Sequence, residues 1–146
     1  PGAGTISMIA DVMLDTNVLV YAASGLPEDD AKTAVARDLL LRPRAGLSAQ
    51  VLQEFVVVTT RKVRKPWTLD EAMDWLEPLE DLPCLPVDAG LVRYGAELAG
   101  RFKLSYWDGA ILAAAHRLSA AVLYTEDLGH GQTYGSVRVE NPFHTH

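Results

Sequence analysis

Short apolar runs alternate along this chain with longer stretches of helical period, and that alternation restricts the fold more than any other feature. Residues 8–14, 45–48, 82–87, 120–124 and 137–139 read as strands. Between them lie helical segments at 18–23, from Pro27 to about Leu41, and at 49–64, where Val51, Leu52, Phe55 and Val58 give a largely buried surface. Thr68 followed by Glu71 has the capping-box spacing and opens a helix to about Glu77. Further helices run from Asp88 to about Arg101 and from Ser105 through Leu118. Strands separated by helices need crossover connections, which are right-handed. The expected fold is therefore a three-layer α/β/α sandwich around a mainly parallel sheet. Pro83 and Pro86 withhold ladder donors, which places their strand near a sheet edge.

Length and composition make this one domain. The chain has 146 residues, 49% hydrophobic and 22% charged, which excludes disorder, fibrous repeats and arrays. Residues 1–7 are small, glycine-containing and without period; they are set aside as a disordered or expression-derived segment, leaving 8–146 as the domain. No apolar run approaches the roughly 18 residues that cross a bilayer, and no basic segment precedes a long apolar one at the start, so neither a membrane span nor secretion is expected. A lone cysteine, Cys84, makes no internal disulfide or cysteine-based zinc site. It reads as a buried small hydrophobe in a reducing compartment, which points to the cytoplasm. Thirteen basic against nineteen acidic residues leave a net charge of −6, so no global positive field draws the protein to nucleic acid. A polyanion would have to be met locally or through a metal.

Ligands of such sheets gather beyond the carboxyl ends of the strands, and two acids fall there: Asp15 after the first strand and Asp127 after a late one. Each also suits a turn or a helix cap. Glu54 is ringed by apolar residues on its helix, where an unpaired carboxylate is costly; the plainer reading puts it on a solvent stripe with Arg61 or Lys62. Asp108 stands three residues after Ser105, a position equally suited to a capping box and to a metal-bound carboxylate. Four carboxylates brought together repel one another unless hard cations neutralise them, and Mg2+ or Mn2+ takes oxygen ligands of this kind. A metal-dependent phosphoryl or phosphodiester reaction is the natural use.

Four blocks in this order resemble PIN-domain ribonucleases, particularly the VapC toxins of VapBC toxin–antitoxin pairs. They are Leu14-Asp15-Thr16-Asn17-Val18-Leu19-Val20-Tyr21, Ser48-Ala49-Gln50-Val51-Leu52-Gln53-Glu54-Phe55, Leu104-Ser105-Tyr106-Trp107-Asp108 and Leu123-Tyr124-Thr125-Glu126-Asp127-Leu128. The resemblance implies a sheet of about five short parallel strands and an acidic Mg2+ or Mn2+ site made by Asp15, Glu54, Asp108 and Asp127. It assigns supporting roles to Thr16 or Thr125 as a hydroxyl neighbour and to Asn17 as the group orienting the first acid; plain capping or turn formation accounts for these three residues equally well. The implied activity is endoribonucleolytic, with a metal-activated water attacking the phosphodiester. It further implies a homodimer and a VapB-like antitoxin laid across the acidic cleft. Gly109 departs from the alanine these toxins often carry, at a cost in helix propensity and local rigidity but not in ligands.

Substrate contacts are less sharply marked. Arg61, Lys62, Arg64 and Lys65 form the densest basic run and, with Trp67 close behind, suit an RNA backbone and a stacked base; helix-end charge complementarity and a core tryptophan are the competing account. Arg42, Arg44, Arg101 and Lys103 are further phosphate candidates, and Leu26, Leu39 and Leu40 are candidate apolar surface for a dimer. His116, His130, His144 and His146 lack metal-ligand spacing. Two other functions compete. A phosphate-accepting Asp15, as in haloacid-dehalogenase-like phosphatases or response-regulator receivers, is opposed by Asn17 in place of a second Asp and by the lack of a lysine near the late strand. The other is a catalytically idle PIN-like module that binds RNA or protein.

Overall fold

The computed structural model describes residues 8–144, so the expectations for residues 1–7 and for His146 lie outside the described residues. Among the described residues, six strands and six α-helices follow in chain order: β1 (Val12–Leu14), α1 (Thr16–Ala23), α2 (Asp30–Leu40), β2 (Ala45–Ser48), α3 (Ala49–Val57), α4 (Leu69–Leu79), β3 (Cys84–Leu85), α5 (Ala89–Phe102), α6 (Tyr106–Arg117), β4 (Val122–Tyr124), β5 (Thr133–Tyr134) and β6 (Val137–Glu140). They form one sheet in the order β3-β2-β1-β4-β6-β5. Every neighbouring pair is parallel except β5 and β6.

This order sets the position of the site. The chain moves outward from β1 to β2 and β3, then returns to the other side of β1 for β4 and β6. With right-handed crossovers, connections running in opposite directions along the sheet lay their helices on opposite faces. The α1–α4 group accordingly packs together, and α5 packs on α6. The direction reverses at β1, so the crevice beyond the carboxyl ends of β1 and β4 is the topological switch point where α/β sheets bind ligands.

Burial holds the layers together. All three residues of β1 are buried, and Leu47, Phe55, Leu112, Leu118, Leu123 and Val139 are fully enclosed around it. At about 25 cal/mol per Å² of apolar surface, this is the principal stabilising contribution. Where α5 meets α6, Gly109 is buried, and a Cβ there would press into the Gly95 carbonyl and the Ala99 backbone. The glycine is thus a condition of close helix contact, which corrects its reading as a mere loss of rigidity.

Several boundaries differ from the sequence reading. The first strand begins at Val12 because Met8 and Ile9 are exposed and unpaired with the sheet. The helix at 49–64 is α-helical only to Val57 and continues as a π-helical turn over Val58–Lys62. Thr68 and Glu71 make both bonds of the capping box, and α4 runs through Pro78 to Leu79. Cys84 lies in edge strand β3 and is half-buried rather than enclosed; burial pushes its thiol up, aided by Glu80. The antiparallel hairpin β5–β6 was not expected. Its two-residue loop starts with Gly135 at φ +64, a conformation that suits glycine at that position of a tight hairpin. No helix among the described residues is long and apolar enough to cross a membrane.

Candidate active site

Asp15 and Thr125 are the first residues beyond β1 and β4, and the sheet ladder continues into both: Asp15 N donates to the Tyr124 carbonyl and Thr125 N to the Glu140 carbonyl. Adjacent parallel strands therefore bring residues 110 positions apart into contact. Asp15 is buried and caps α1, with Thr16 N donating to its Oδ1 at 2.7 Å. Its Oδ2 accepts from the Thr125 hydroxyl at 2.7 Å. That hydroxyl is fully enclosed and also accepts from Asp127 N at 3.1 Å and Asn17 Nδ2 at 3.3 Å, so its hydrogen-bonding capacity is filled.

The same few residues tie in the other acids. Thr16 Oγ1 donates to Glu54 Oε2 at 2.8 Å, and Gln50 Nε2, one turn earlier on α3, donates to Oε1 at 3.0 Å. Glu54 is thus tied to the start of α1, and it also shares a depression with Lys62, one of the two basic residues expected beside it. Asn17 Nδ2 donates to Asp127 Oδ2 at 3.2 Å while its Oδ1 accepts from Glu126 N. Asn17 consequently orients the fourth acid and the Asp127 loop; it makes no direct bond to Asp15. Thr16, Asn17, Glu54, Glu126 and Asp127 line a shared depression of about 290 Å³.

Asp108 stands apart. Ser105 caps α6 by accepting from Asp108 N at 3.1 Å, but the reciprocal bond of a capping box is not made. No hydrogen bond among the described residues joins Asp108 to Asp15, Glu54 or Asp127. Its half-buried carboxylate is left uncommitted at the start of α6.

Electrostatics give the cluster its character. Burial raises the Asp15 carboxyl from its ordinary 3.8 to about 6; the bonds from Thr125 and Thr16 oppose that rise, and the nearby charges of Asp127 and Glu54 add to it. A site whose own acids destabilise one another's charge is relieved by a cation, and an all-carboxylate donor set suits hard ions such as Mg2+ or Mn2+. The donor chemistry fits a divalent metal. In the present arrangement, no group of three His, Cys, Asp or Glu among the described residues is gathered to hold one.

The basic candidates separate. Arg64 pairs with Glu28 at 3.0 Å and Arg44 with Asp11 at 3.6 Å, while Arg42 and Arg101 lie over the rings of Tyr124 and Phe102. Lys62 borders a second depression beside Glu54. Trp67 is half-buried and packs edge-to-face on Phe55 at 6.0 Å, as a core-margin residue. Leu39 belongs to the core, and Leu26 and Leu40 are half-buried; the most exposed leucine nearby is Leu41. His116 is hydrogen-bonded to the Tyr134 carbonyl, and His130 stacks on His144, so these rings serve the β5–β6 region. Sequence reasoning passed over Gln50, whose spacing of four from Glu54 was a usable signal, and Trp107, which also borders the second depression.

The PIN-domain family model matches residues 12–135. None of the curated proteins matches the chain. Among solved structures, a toxin–antitoxin complex from Klebsiella pneumoniae matches with a TM-score of 0.66 at 18% identity, over 92% of this chain and 99% of that one. VapC20 of Mycobacterium tuberculosis, a sarcin-ricin loop cleaving toxin, matches at 0.62 and 18% identity over 80% and 89%. FitAcB from Neisseria gonorrhoeae matches at 0.60 and 23% identity over 92% and 99%. At such identities the structural likeness speaks for the fold, and the family model, which takes in β1 through β5 and all four acids, speaks for membership: this chain belongs to the PIN-domain family.

Proposed function

We propose that this protein is a divalent-metal-dependent endoribonuclease, the VapC-like toxin of a toxin–antitoxin pair, acting in the cytoplasm as a homodimer restrained by a VapB-like antitoxin. PIN domains are typically nucleases and generally use a divalent metal. The observation that carries the reading is the hydrogen-bonded junction that holds Asp15, Glu54 and Asp127 together at the switch point through Thr16, Asn17 and Thr125.

Each residue has a role in this reading. Asp15, Glu54, Asp108 and Asp127 supply the carboxylates that hold Mg2+ or Mn2+. The chemistry such a cation supplies is activation of a water and neutralisation of phosphodiester charge. Thr125 and the Thr16 amide fix both oxygens of Asp15, the Thr16 hydroxyl aims Glu54, and Asn17 aims Asp127. Such fixed geometry keeps the acids from swinging away as charge builds at the phosphate. Arg61, Lys62, Arg64 and Lys65 hold the RNA backbone, and Lys62 shares a depression with Glu54.

The test is partner-free protein incubated with total RNA, with and without Mg2+ or Mn2+, beside Asp15→Asn, with cut ends mapped. Metal-dependent cleavage that is lost in the variant supports the assignment. A folded wild type that binds metal without cutting any RNA in the pool would count against the assignment and turn the reading to an idle binding module or to a substrate absent from the pool.

A further inference from the structure

Trp107 is the largest exposed aromatic side chain in the fold, 63% exposed on the first turn of α6 beside Asp108. Isolated exposed apolar residues are ordinary, but this one borders a depression of about 360 Å³ shared with Gln50, Glu54, Val57 and Lys62. Glu54 also lines the acid depression, so the two adjoin at a residue of the proposed site. Tyr106 meets the Trp107 ring edge-to-face at 5.1 Å and props it while most of its surface stays open.

We propose that Trp107 is a stacking platform for an unpaired base of single-stranded RNA next to the bond to be cut, with Lys62 on the same depression taking a neighbouring phosphate. This rests on the nuclease reading and names the form of its substrate. The lining suits RNA as occupant. Beside Glu54, one of the proposed metal-holding acids, the depression has one cationic side chain, Lys62, with no carboxylate paired to it among the described residues, amides at Gln50 and Gln53, and an aromatic wall, a combination that tracks a single strand by phosphate and π-face. A base in a duplex has both faces covered and cannot use it.

The experiment compares Asp15→Asn with the same protein carrying Trp107→Ala, Trp107→Leu or Trp107→Phe, binding a fluorescein-labelled 12-nucleotide oligoadenylate by anisotropy in Mg2+. Trp107→Ala and Trp107→Leu should each weaken binding about tenfold, within the range for losing one base–aromatic stack, and Trp107→Phe should stay within about threefold. Tryptophan emission should fall as RNA is added, and Trp107→Phe, which preserves the packing, should lose most of that quench. Unchanged affinity in Trp107→Ala, or leucine holding as well as phenylalanine, overturns the proposal. Loss of a dimer in sedimentation with RNA affinity intact would assign the ring to a second copy and overturn the proposal. Because the binding arm needs no cleavage, failure of the nuclease reading shows separately as uncut RNA in the wild type. In a cutting wild type, Trp107→Ala should raise KM about tenfold with kcat changed less than threefold.

Discussion

Asp15→Asn should make the metal-free protein more stable at neutral pH while abolishing its response to metal. The Asp15 carboxyl titrates near 6 instead of 3.8, chiefly because burial disfavours its charge. At 1.36 kcal/mol per pKa unit, ionising it in the folded protein costs about 3 kcal/mol more than in the unfolded chain. The sign follows from which state holds the proton more tightly. That is the folded state, so the penalty is absent below pH 3.8, grows as pH rises, and is complete above about 6. Asparagine carries no such penalty but loses a bond. Thr125 Oγ1 already accepts from Asn17 and Asp127, so a carboxamide NH2 at position 15 finds no acceptor there, at a cost of about 1–2 kcal/mol. The net gain above pH 7 is about 1–2 kcal/mol, or roughly 2–6 °C in Tm for a domain of this size. At pH 4 the variant should be the less stable protein. Thermal melts followed by circular dichroism in EDTA from pH 4 to 8 measure the difference directly, since other titrating groups are common to both. In Mn2+ at 100 times its Kd the wild type should gain about 2.7 kcal/mol and overtake the variant. A stability difference that does not vary with pH would refute the account of Asp15, and an equal Mn2+ gain in both proteins would remove it from the metal site.

Three further outcomes follow from particular contacts. Thr125→Val removes the donor to Asp15 Oδ2 and the acceptor for Asp127 N, so the Asp15 carboxyl should titrate above 6 in a carboxyl NMR titration and the fold should lose about 1–3 kcal/mol; an unmoved pKa would refute the role of that hydroxyl. Gly109→Ala gains about 1 kcal/mol of helix propensity yet overpacks the α5–α6 contact by about 1–3 kcal/mol, so urea denaturation should show no gain and most often a loss, and a variant stabilised by the full propensity difference would contradict the packing argument. Lys62→Ala should weaken RNA binding and lower its salt slope by about 1, whereas Arg64→Ala, already paired with Glu28, should do less; equal losses would show that the whole basic run acts alike.

Much of this protein is legible in its sequence because strand–helix alternation and cap chemistry are local. β2 falls at 45–48 as read, Thr68 and Glu71 close their box, and Asp88 and Ser105 cap the helices they precede. What failed to show depends on distance along the chain. Glu54 takes its hydrogen bond from Thr16, 38 residues away, and Asp15 is raised chiefly by its burial, against a bond from Thr125, 110 residues away. The role of Gly109 depends on how closely α5 approaches, and the hairpin β5–β6 escaped because its first strand has only two residues, although Gly135-Ser136 marks its turn.

The two costs built into this fold differ in kind. Gly109 gives up helix propensity and recovers it in the contact between α5 and α6, within the folded chain itself. Asp15 recovers only part of its penalty from Thr125 and Thr16, because burial outweighs both bonds and the charges of Asp127 and Glu54 add to it. Hydrophobic packing has no way to offset a buried, like-charged carboxylate; a cation does. An acid held at a strand end by filled hydrogen bonds, too firmly to relax away from its neighbours, therefore converts lost stability into affinity for metal. On this reasoning a substitution that relieves the penalty without a cation, as Asp15→Asn does, trades the proposed activity for stability through the same carboxyl group.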